Sequence, residues 1–206
     1  MDLRDYQEDF VSSHSGVKAI SAGRRAGTTT ALIADLCAKA MRLPGASLCY
    51  VSPYNHFEVA PLVRELLSDY IEMVVGRKFV LKNGSQLKLS LGANEATPLL
   101  VEHLAIDNAA FLGWSDVIRQ QYSRSMSGEA TLTVGSTPKI TENGEDPGWF
   151  YYLTLFSRGS ADFDMFYWPS SISPYWTEQM GKDMRRELSR DSYITEVLGA
   201  FTSEVI

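Results

Sequence analysis

The sequence lacks the features of a membrane protein, a secreted protein or a protein that coats nucleic acid. No apolar run approaches the length of a membrane span, and the first residues do not have the shape of a signal peptide. The net charge of −6 argues against binding nucleic acid by bulk charge, although it leaves room for a local basic patch. Only two cysteines occur, Cys37 and Cys49, without metal-ligand spacing, so we expect buried free thiols in a reducing compartment. These absences favour a cytosolic protein.

What is present fits one globular domain. The 206 residues are 45% hydrophobic and 21% charged, which is enough apolar material to bury a sizeable core. No internal repeat or low-complexity tract interrupts the chain. Apolar strands alternate with amphipathic helices, and this order predicts an α/β fold with a mostly parallel central sheet flanked by helices on both faces. We therefore predict a single domain over residues 1–206.

Hydrophobic periodicity predicts where the individual elements lie. Strands are predicted over 17–21, 48–52, 99–106, 132–136 and 165–168, with a hairpin over 79–91 that turns at residues 82–85. Helices are predicted over 28–41, 59–71, 115–125, 148–156, 177–186 and 192–201. The helix over 59–71 has the most regular apolar period of the chain.

The most informative segment is the glycine-rich turn within residues 20–30, between a short strand and a helix. Gly27 and Thr29 match the last Gly and the Ser/Thr of the phosphate-loop pattern G-x-x-x-x-G-K-[ST]. Ala22 stands at the first Gly of that pattern, and Thr28 stands at the lysine. The turn is therefore a phosphate loop without its lysine, or else an ordinary strand–helix turn with two surface arginines.

The chemistry of phosphate binding does not require that lysine. Backbone N–H groups at a helix N-terminus point at an anion, and glycines let the backbone approach it. The residues expected to supply this cradle are Gly23, Gly27, Thr28 and Thr29. The Thr29 hydroxyl is placed to bind Mg²⁺, and Arg24 or Arg25 could replace the missing charge from the other side of the loop.

Asp107 is the second candidate, because it ends an apolar strand about eighty residues after the loop. A carboxylate at the tip of a neighbouring buried strand is the second requirement of a Mg²⁺–nucleotide site. The alternative is an aspartate that caps the following turn. The loop and the strand-end aspartate together favour the nucleotide site.

Five segments in order resemble the ATPase domain of a viral, bacteriophage-type large terminase, a P-loop NTPase. They are RDYQ at 4–7, GRRAG at 23–27, NGS at 83–85, LAIDNAAF at 104–111 and GSTP at 135–138. They resemble, respectively, the adenine-binding glutamine motif, the arginine-containing P-loop (Walker A), a hairpin, Walker B and the coupling motif of that family. The ending YITEVLGAF at 193–201 resembles the helix that precedes the family's nuclease domain.

The resemblance implies a role for each matching residue, with ATP and Mg²⁺ as cofactors. It implies adenine contacts from Arg4 and Gln7, phosphate contacts from the 23–29 loop, Mg²⁺ ligation by Thr29 and Asp107, water positioning by Asn108, catalytic charge from Arg24 and Arg25, and coupling by Ser136 and Thr137. Residues after Phe201 are too few for a nuclease domain, so we expect this chain to be a cut-out domain or one part of a split protein. DNA cleavage is not expected of it.

Two departures from the family pattern bear on catalysis. Thr28 stands at the lysine position, and Asn108 stands where the family has a glutamate that orients or deprotonates the attacking water. An amide orients water but cannot accept its proton, and losing a positioned general base typically costs about 10²–10⁴ in rate. Losing a charge clamp on the phosphoryl group costs a comparable factor. We therefore expect a slow ATPase or a domain that binds nucleotide without turnover, unless a neighbouring acid such as Asp116 replaces the base.

The resemblance also implies partners and a location. A terminase motor packages double-stranded DNA into a procapsid as a homo-oligomeric ring, with portal protein and small terminase subunit, in the host cytoplasm and not in the mature virion. The candidates for an arginine that reaches a neighbouring subunit are Arg64, Arg77, Arg119 and Arg124. A basic cluster is equally consistent with DNA contact and with an exposed hairpin, and comprises Arg77, Lys78, Lys82 and Lys88.

Two alternatives remain open at the level of the sequence. The first is a terminase-like assembly module whose nucleotide site has decayed. The second is a helicase-type ATPase, which the glutamine motif fits but the GSTP and DNAAF segments fit less well.

Overall fold

The computed structural model describes residues 2–54, 59–92, 101–139, 146, 148–156 and 159–202. Its helices are α1 (Asp5–Ser12), α2 (Thr28–Arg42), α3 (Val59–Leu66), α4 (Asp116–Met126), α5 (Trp149–Phe156), α6 (Glu178–Glu187) and α7 (Arg190–Glu196). Its strands are β1 (Val17–Ala22), β2 (Ser47–Ser52), β3 (Ile71–Val75), β4 (Lys78–Leu81), β5 (Gln86–Leu91), β6 (His103–Asp107), β7 (Thr131–Ser136) and β8 (Phe163–Trp168). Short 3₁₀ turns follow β6 and β8.

The strands form one mostly parallel sheet in the order β3-β4-β5-β2-β6-β7-β1-β8. The pairs from β5 to β8 are parallel, whereas β3, β4 and β5 pair antiparallel at one edge. Parallel strands leave their carboxyl ends at the same edge of the sheet, so the ends of β1, β6 and β7 lie side by side. The predicted α/β architecture is confirmed.

Both faces of the sheet are covered, because alternate strand residues enter two different cores. On one face, residues such as Ile20 and Leu48 pack with the apolar stripe of α2 and with Phe10 of α1. On the other face, Val17 and Val134 pack with residues of α4 and α5. Near-continuous apolar strands such as β1 and β2 are the pattern expected of a sheet that is buried on both sides.

The predicted helix over 59–71 was wrong in its second half. Helix α3 ends at Leu66, and Ile71 begins strand β3, which pairs antiparallel with β4. The partner strand offers Ile71 and its β-branched neighbours a ladder that the helical period of the sequence does not reveal. The predicted helix over 192–201 is also shorter, because the chain turns at Gly199, whose φ of 68° is left-handed.

The remaining predicted elements agree with the structure within a few residues. The hairpin turn between β4 and β5 lies where it was predicted, and Ser115 caps α4. Of the strand predicted over 99–106, residues 99 and 100 lie outside the described part of the chain. Cys37 and Cys49 are buried and free, as expected. Among the described residues, no helix combines the length and apolar character that a membrane crossing requires.

Candidate functional site

The glycine-rich turn connects β1 to α2 at the carboxyl edge of the sheet. Arg25 and Gly27 both have left-handed backbone, with φ of 62° and 86°. Gly27 immediately precedes α2, which begins at Thr28. The first N–H groups of a helix have no partner within it, and the helix dipole is positive at this end. The turn therefore has the backbone geometry of an anion-binding loop.

A cavity of about 290 Å³ opens at this turn, and we call it the phosphate cavity after the predicted phosphate residues that line it. Its lining combines the glycine-rich turn with the ends of β6 and β7: Gly23, Arg24, Arg25, Ala26, Gly27, Thr28, Thr29, Asp107, Asn108, Ser136 and Thr137. The structure therefore brings together every predicted phosphate, metal, water-positioning and coupling residue. Arg4 and Gln7 do not line this cavity.

Asp107 is buried at the end of β6 and accepts hydrogen bonds from neutral donors. The Thr29 and Tyr50 hydroxyls each donate to Oδ2 at 2.6 Å. The backbone N–H of Asn108 donates to Oδ1 at 2.9 Å. These bonds fix the carboxylate directly beside the first turn of α2.

Tyr50 is a site residue that the sequence analysis missed. Burial first, and then the adjacent Asp107 carboxylate, raise the pKa of its hydroxyl, so it stays protonated and acts as a donor. The signal was available in principle, because Tyr50 is a polar-tipped residue within a buried strand, and buried tyrosine hydroxyls need a partner. Asp107 at the end of β6 is this partner, and only the order of the strands in the sheet shows that β6 lies next to β2.

The Thr29–Asp107 pair fits a magnesium ion. Hydroxyl and carboxylate oxygens are hard donors, and Mg²⁺ in nucleotide sites is held by one or two protein ligands together with substrate phosphates and water. A dedicated cage is not needed, and among the described residues no three His, Cys, Asp or Glu side chains cluster as one. Thr29 and Asp107 are the residues that would hold the ion.

Asn108 adopts a left-handed backbone with φ of 54°, which asparagine tolerates better than most residues. This conformation ends β6 and starts the 3₁₀ turn at Ala109–Phe111. Asn108 lines the phosphate cavity and also a second cavity of about 430 Å³ beside it. The second cavity is lined by Arg24, Tyr54, Asn108, Phe111, Thr137, Pro138, Lys139, Thr195 and Glu196.

The predicted adenine residues lie behind the turn and hold it in shape. Gln7 is buried, its Nε2 donates to the Gly27 carbonyl at 3.1 Å, and its Oε1 accepts from the Arg4 backbone N–H at 3.1 Å. The Tyr6 hydroxyl donates to the Ala26 carbonyl at 3.1 Å. These contacts tie α1 to the turn, and the adenine role of Arg4 and Gln7 stays a prediction.

Part of the predicted phosphate cradle is already engaged by the protein itself. The Gly23 N–H donates to the Trp168 carbonyl at 2.8 Å, and the Arg24 N–H donates to the Glu196 carbonyl at 2.6 Å. A Cβ at position 23 would clash with the Val197 carbonyl oxygen, so only glycine fits there. The Ala26 N–H also donates, to the Gly23 carbonyl at 3.4 Å, so among the described residues the N–H groups left for an anion are those of Arg25, Gly27 and the start of α2.

Ser136 connects β7 to the segment that follows Asp107. Its hydroxyl accepts a hydrogen bond from the Ala110 N–H at 3.2 Å and donates one to the Thr137 carbonyl at 2.7 Å. A shift of this strand end would therefore move the turn beside Asn108. The geometry is compatible with the coupling role predicted for Ser136 and Thr137, which stays a prediction.

The candidate arginines have contacts within their own chain. Arg64 lies over the Phe79 ring, with 5.5 Å between the guanidinium carbon and the ring centroid. Arg119 pairs with Asp116 at 2.9 Å, and Arg124 donates to the Val101 carbonyl at 3.0 Å. Asp116 is not among the residues that line the phosphate cavity, so the structure gives no support for a substitute base there.

Comparison with known proteins gives matches in structure alone. No family model and no curated protein matches the chain. The large terminase ATPase domain of Thermus phage P74-26 matches with a TM-score of 0.78 and 16% identity, covering 98% of this chain and 94% of that chain.

Two longer large terminases match to a similar degree. The large terminase of a thermophilic bacteriophage, in complex with ADP, matches with a TM-score of 0.74, 14% identity and coverage of 97% of this chain. The large terminase of bacteriophage HK97 matches with a TM-score of 0.72, 14% identity and coverage of 98%. The chain spans only about half of each, 54% and 51%. The chain therefore has the α/β fold of phage large terminase ATPase domains.

Proposed function

We propose that residues 1–206 form the ATPase motor domain of a DNA-packaging terminase. In this proposal Mg–ATP binding and hydrolysis drive double-stranded DNA into a procapsid. The observation that carries it is the Thr29–Asp107 pair, joined at 2.6 Å beside the start of α2 in a cavity of phosphate-loop character. A hydroxyl and a carboxylate side by side at this edge of the sheet are the oxygen ligands that suit a metal–phosphate complex.

The proposed roles follow from the position of each group. The N–H groups at the start of α2 bind the phosphates, and Thr29 with Asp107 holds the ion. Bound Mg²⁺ supplies charge neutralisation at the phosphate oxygens. Arg24 and Arg25 line the same cavity and provide the cationic charge that Thr28 cannot. Asn108 orients water without accepting its proton.

The rest of the proposal rests on the likeness to terminases. The large terminase of the thermophilic bacteriophage was solved with ADP and with ATP-gamma-S, which supports nucleotide as the ligand of this fold. We extend the proposal to a homo-oligomeric ring that works with portal protein and small terminase subunit in the host cytoplasm. Coupling through Ser136 and Thr137 and adenine contacts from Arg4 and Gln7 belong to it.

One observation favours a second function. Asn108 lines the phosphate cavity next to Asp107, and no described acid that lines this cavity other than Asp107 is present to accept a proton. Asp107 itself is committed to Thr29 and Tyr50. The alternative is therefore a terminase-like assembly module that binds nucleotide and hydrolyses it weakly or not at all.

The test is to measure binding of a non-hydrolysable ATP analogue and the rate of ATP hydrolysis at a fixed assembly state. The proteins are the wild type, Asp107→Asn and the double variant Thr28→Lys/Asn108→Glu. We expect Asp107→Asn to remove the magnesium dependence of binding. We expect the double variant to hydrolyse ATP about 10²–10⁴-fold faster than the wild type, because a general base is restored.

The matched control is Asp69→Asn, an exposed aspartate in the turn that leads into the antiparallel edge strands, away from the phosphate cavity. It should leave binding and hydrolysis unchanged. If neither the wild type nor the double variant binds nucleotide at millimolar concentration, the motor proposal is wrong. If both bind and neither hydrolyses ATP, the assembly module is the better interpretation.

A further inference from the structure

The segment that follows α7 is bonded to the start of the glycine-rich turn. The Arg24 N–H donates to the Glu196 carbonyl at 2.6 Å, and the Ser21 hydroxyl donates to the Gly199 carbonyl at 2.6 Å. A Cβ at position 199 would lie 2.5 Å from the Gly23 nitrogen, so the two backbones touch. The phosphate loop and the end of α7 therefore form one connected unit.

The serine after β8 completes this unit. Ser170 is buried, its hydroxyl donates to the Arg24 carbonyl at 2.8 Å, and its N–H donates to the Val197 carbonyl at 2.7 Å. The backbone from Gly23 to Arg24 is thus tied to β8 and to the end of α7.

One charged side-chain contact spans the junction. Arg24 Nη2 lies 3.1 Å from Glu196 Oε1, with the arginine side chain 67% exposed and the glutamate side chain 23% exposed. Arg24 also lines the phosphate cavity, so a phosphate bound there would be a second anion beside this arginine. Glu196 lines the adjoining cavity.

We propose that Glu196 is a positioning residue that holds the Arg24 guanidinium at the junction with α7 until nucleotide competes for it. This inference rests on the proposed nucleotide site. Phosphate oxygens and the Glu196 carboxylate are both anionic acceptors that suit a guanidinium, so bound nucleotide would compete with Glu196 for Arg24. Nucleotide binding releases the Glu196 carboxylate and loosens the side-chain tie between the loop and α7.

The competition predicts both the direction and the size of the change in nucleotide affinity when the Glu196 charge is removed. The pair is largely solvent-exposed on the arginine side, and such pairs contribute modestly to stability. Removing the glutamate charge should therefore strengthen nucleotide binding by about 1.5- to 5-fold, a range that corresponds to an exposed ion pair. A residue that only stabilised the fold would leave affinity unchanged or weaken it.

The test compares Glu196→Gln with the wild type in titrations with a non-hydrolysable ATP analogue and MgCl₂. We expect the variant to bind more tightly by the stated factor. We expect the gain to vanish in an Arg24→Ala background, where the glutamate has no guanidinium to withhold. Glu196→Asp, which keeps the charge, should remain closer to the wild type than Glu196→Gln. The matched control is Glu178→Gln, which removes the carboxylate of an exposed pair with Lys182 at 2.6 Å in α6.

Hydrogen exchange provides a readout that does not depend on catalysis. Exchange in the region of α7 should rise when nucleotide is added to the wild type. In Glu196→Gln it should already be high without nucleotide and should change little on addition. Equal affinity of the wild type and Glu196→Gln would overturn the inference while leaving the proposed function intact. Failure of every variant to bind nucleotide would overturn both.

A loss of hydrolysis in Glu196→Gln with unchanged affinity would also overturn the inference. That result would assign the carboxylate to proton transfer rather than to holding Arg24.

Discussion

Two buried aspartates beside or within helix α2 show how the same side chain is used in different ways. Asp107 receives hydrogen bonds from the neutral hydroxyls of Thr29 and Tyr50 and from a backbone N–H. Asp35 pairs instead with two lysines, Lys18 at 2.6 Å and Lys39 at 2.7 Å. Neutral donors orient a carboxylate without cancelling its charge, so Asp107 remains suited to a cation. Two lysines cancel the charge of Asp35, so that residue is structural.

The pKa values follow the same division. Burial acts to raise the pKa of Asp35, but the charges of Lys39 and Lys18 and their hydrogen bonds outweigh it, so the pKa is lowered. Burial lowers the pKa of Lys18 to about 8, with the Asp35 charge opposing this shift. Both groups are therefore ionised at neutral pH. The Lys18 ammonium also donates to the Phe10 carbonyl at 2.9 Å, which satisfies it further.

The largest expected effect comes from breaking the structural pair. Asp35→Asn should lower the free energy of unfolding by about 3–5 kcal/mol, because it leaves the buried Lys18 without a carboxylate. Denaturant titration measures it. The same chemical change at the other aspartate, Asp107→Asn, should cost less stability, because neutral donors leave no lysine uncompensated.

A second substitution makes this prediction decisive. Adding Lys18→Met to Asp35→Asn should recover part of the lost free energy of unfolding, since it removes the buried Lys18 charge that no longer has its carboxylate. An unchanged unfolding free energy in Asp35→Asn would show that this pair does not hold the fold.

The next effect tests whether a charged acceptor makes the hydrogen bond at Asp107 stronger. Tyr50→Phe should lower the free energy of unfolding by about 1.5–3 kcal/mol, because it removes a donor to a buried carboxylate. Tyr6→Phe is the matched variant, since its hydroxyl donates to the neutral Ala26 carbonyl, and it should cost about 0.5–1.5 kcal/mol. Equal losses in the two variants would contradict the distinction.

The smallest expected effect, counted per pH unit, is that of pH on the surroundings of the structural pair. Burial, and then the charge of Lys39, lower the pKa of His103 to about 4, while Glu102 and Asp35 oppose this. In the unfolded chain a histidine titrates near 6.5, so between about pH 6.5 and 4 the unfolded state binds the extra proton. Stability is therefore highest above about pH 6.5, falls as the pH drops from 6.5 to about 4, and no longer changes through this group at lower pH.

This loss should amount to at most about 1.4 kcal/mol per pH unit within that window. The measurement is the pH dependence of unfolding for the wild type against His103→Gln, which removes the titrating ring. The two slopes should differ between about pH 6.5 and 4 and agree above it. Parallel slopes across the whole range would refute the role of His103.

Much of the fold could be predicted from the sequence because its signals are local. The strand over 17–21, the turn at 82–85 and the helix after Gly27 each follow from period, glycine and turn chemistry. The strand β3 at the end of the predicted helix over 59–71 could not be predicted, because the apolar spacing of this segment suits a helix. Its pairing partner, β4, comes later in the chain.

The candidate site divides in the same way. Thr29 and Asp107 were predicted because each carries a local pattern, a phosphate turn or a strand-end carboxylate. Tyr50, Ser170 and Glu196 were not predicted, because each acts through a partner far away in the sequence. No spacing rule connects position 24 with position 196.

By itself, the sequence determined the alternation of strands and helices, the phosphate-type turn without its lysine, and the asparagine that follows the strand-end aspartate. Only the tertiary structure decided which N–H groups of that turn are already occupied, and which of the two buried aspartates receives neutral hydroxyl donors and which pairs with lysines. The physical reason is that hydrogen-bond partners and burial depend on sheet order, and sheet order brings together residues that the chain keeps apart.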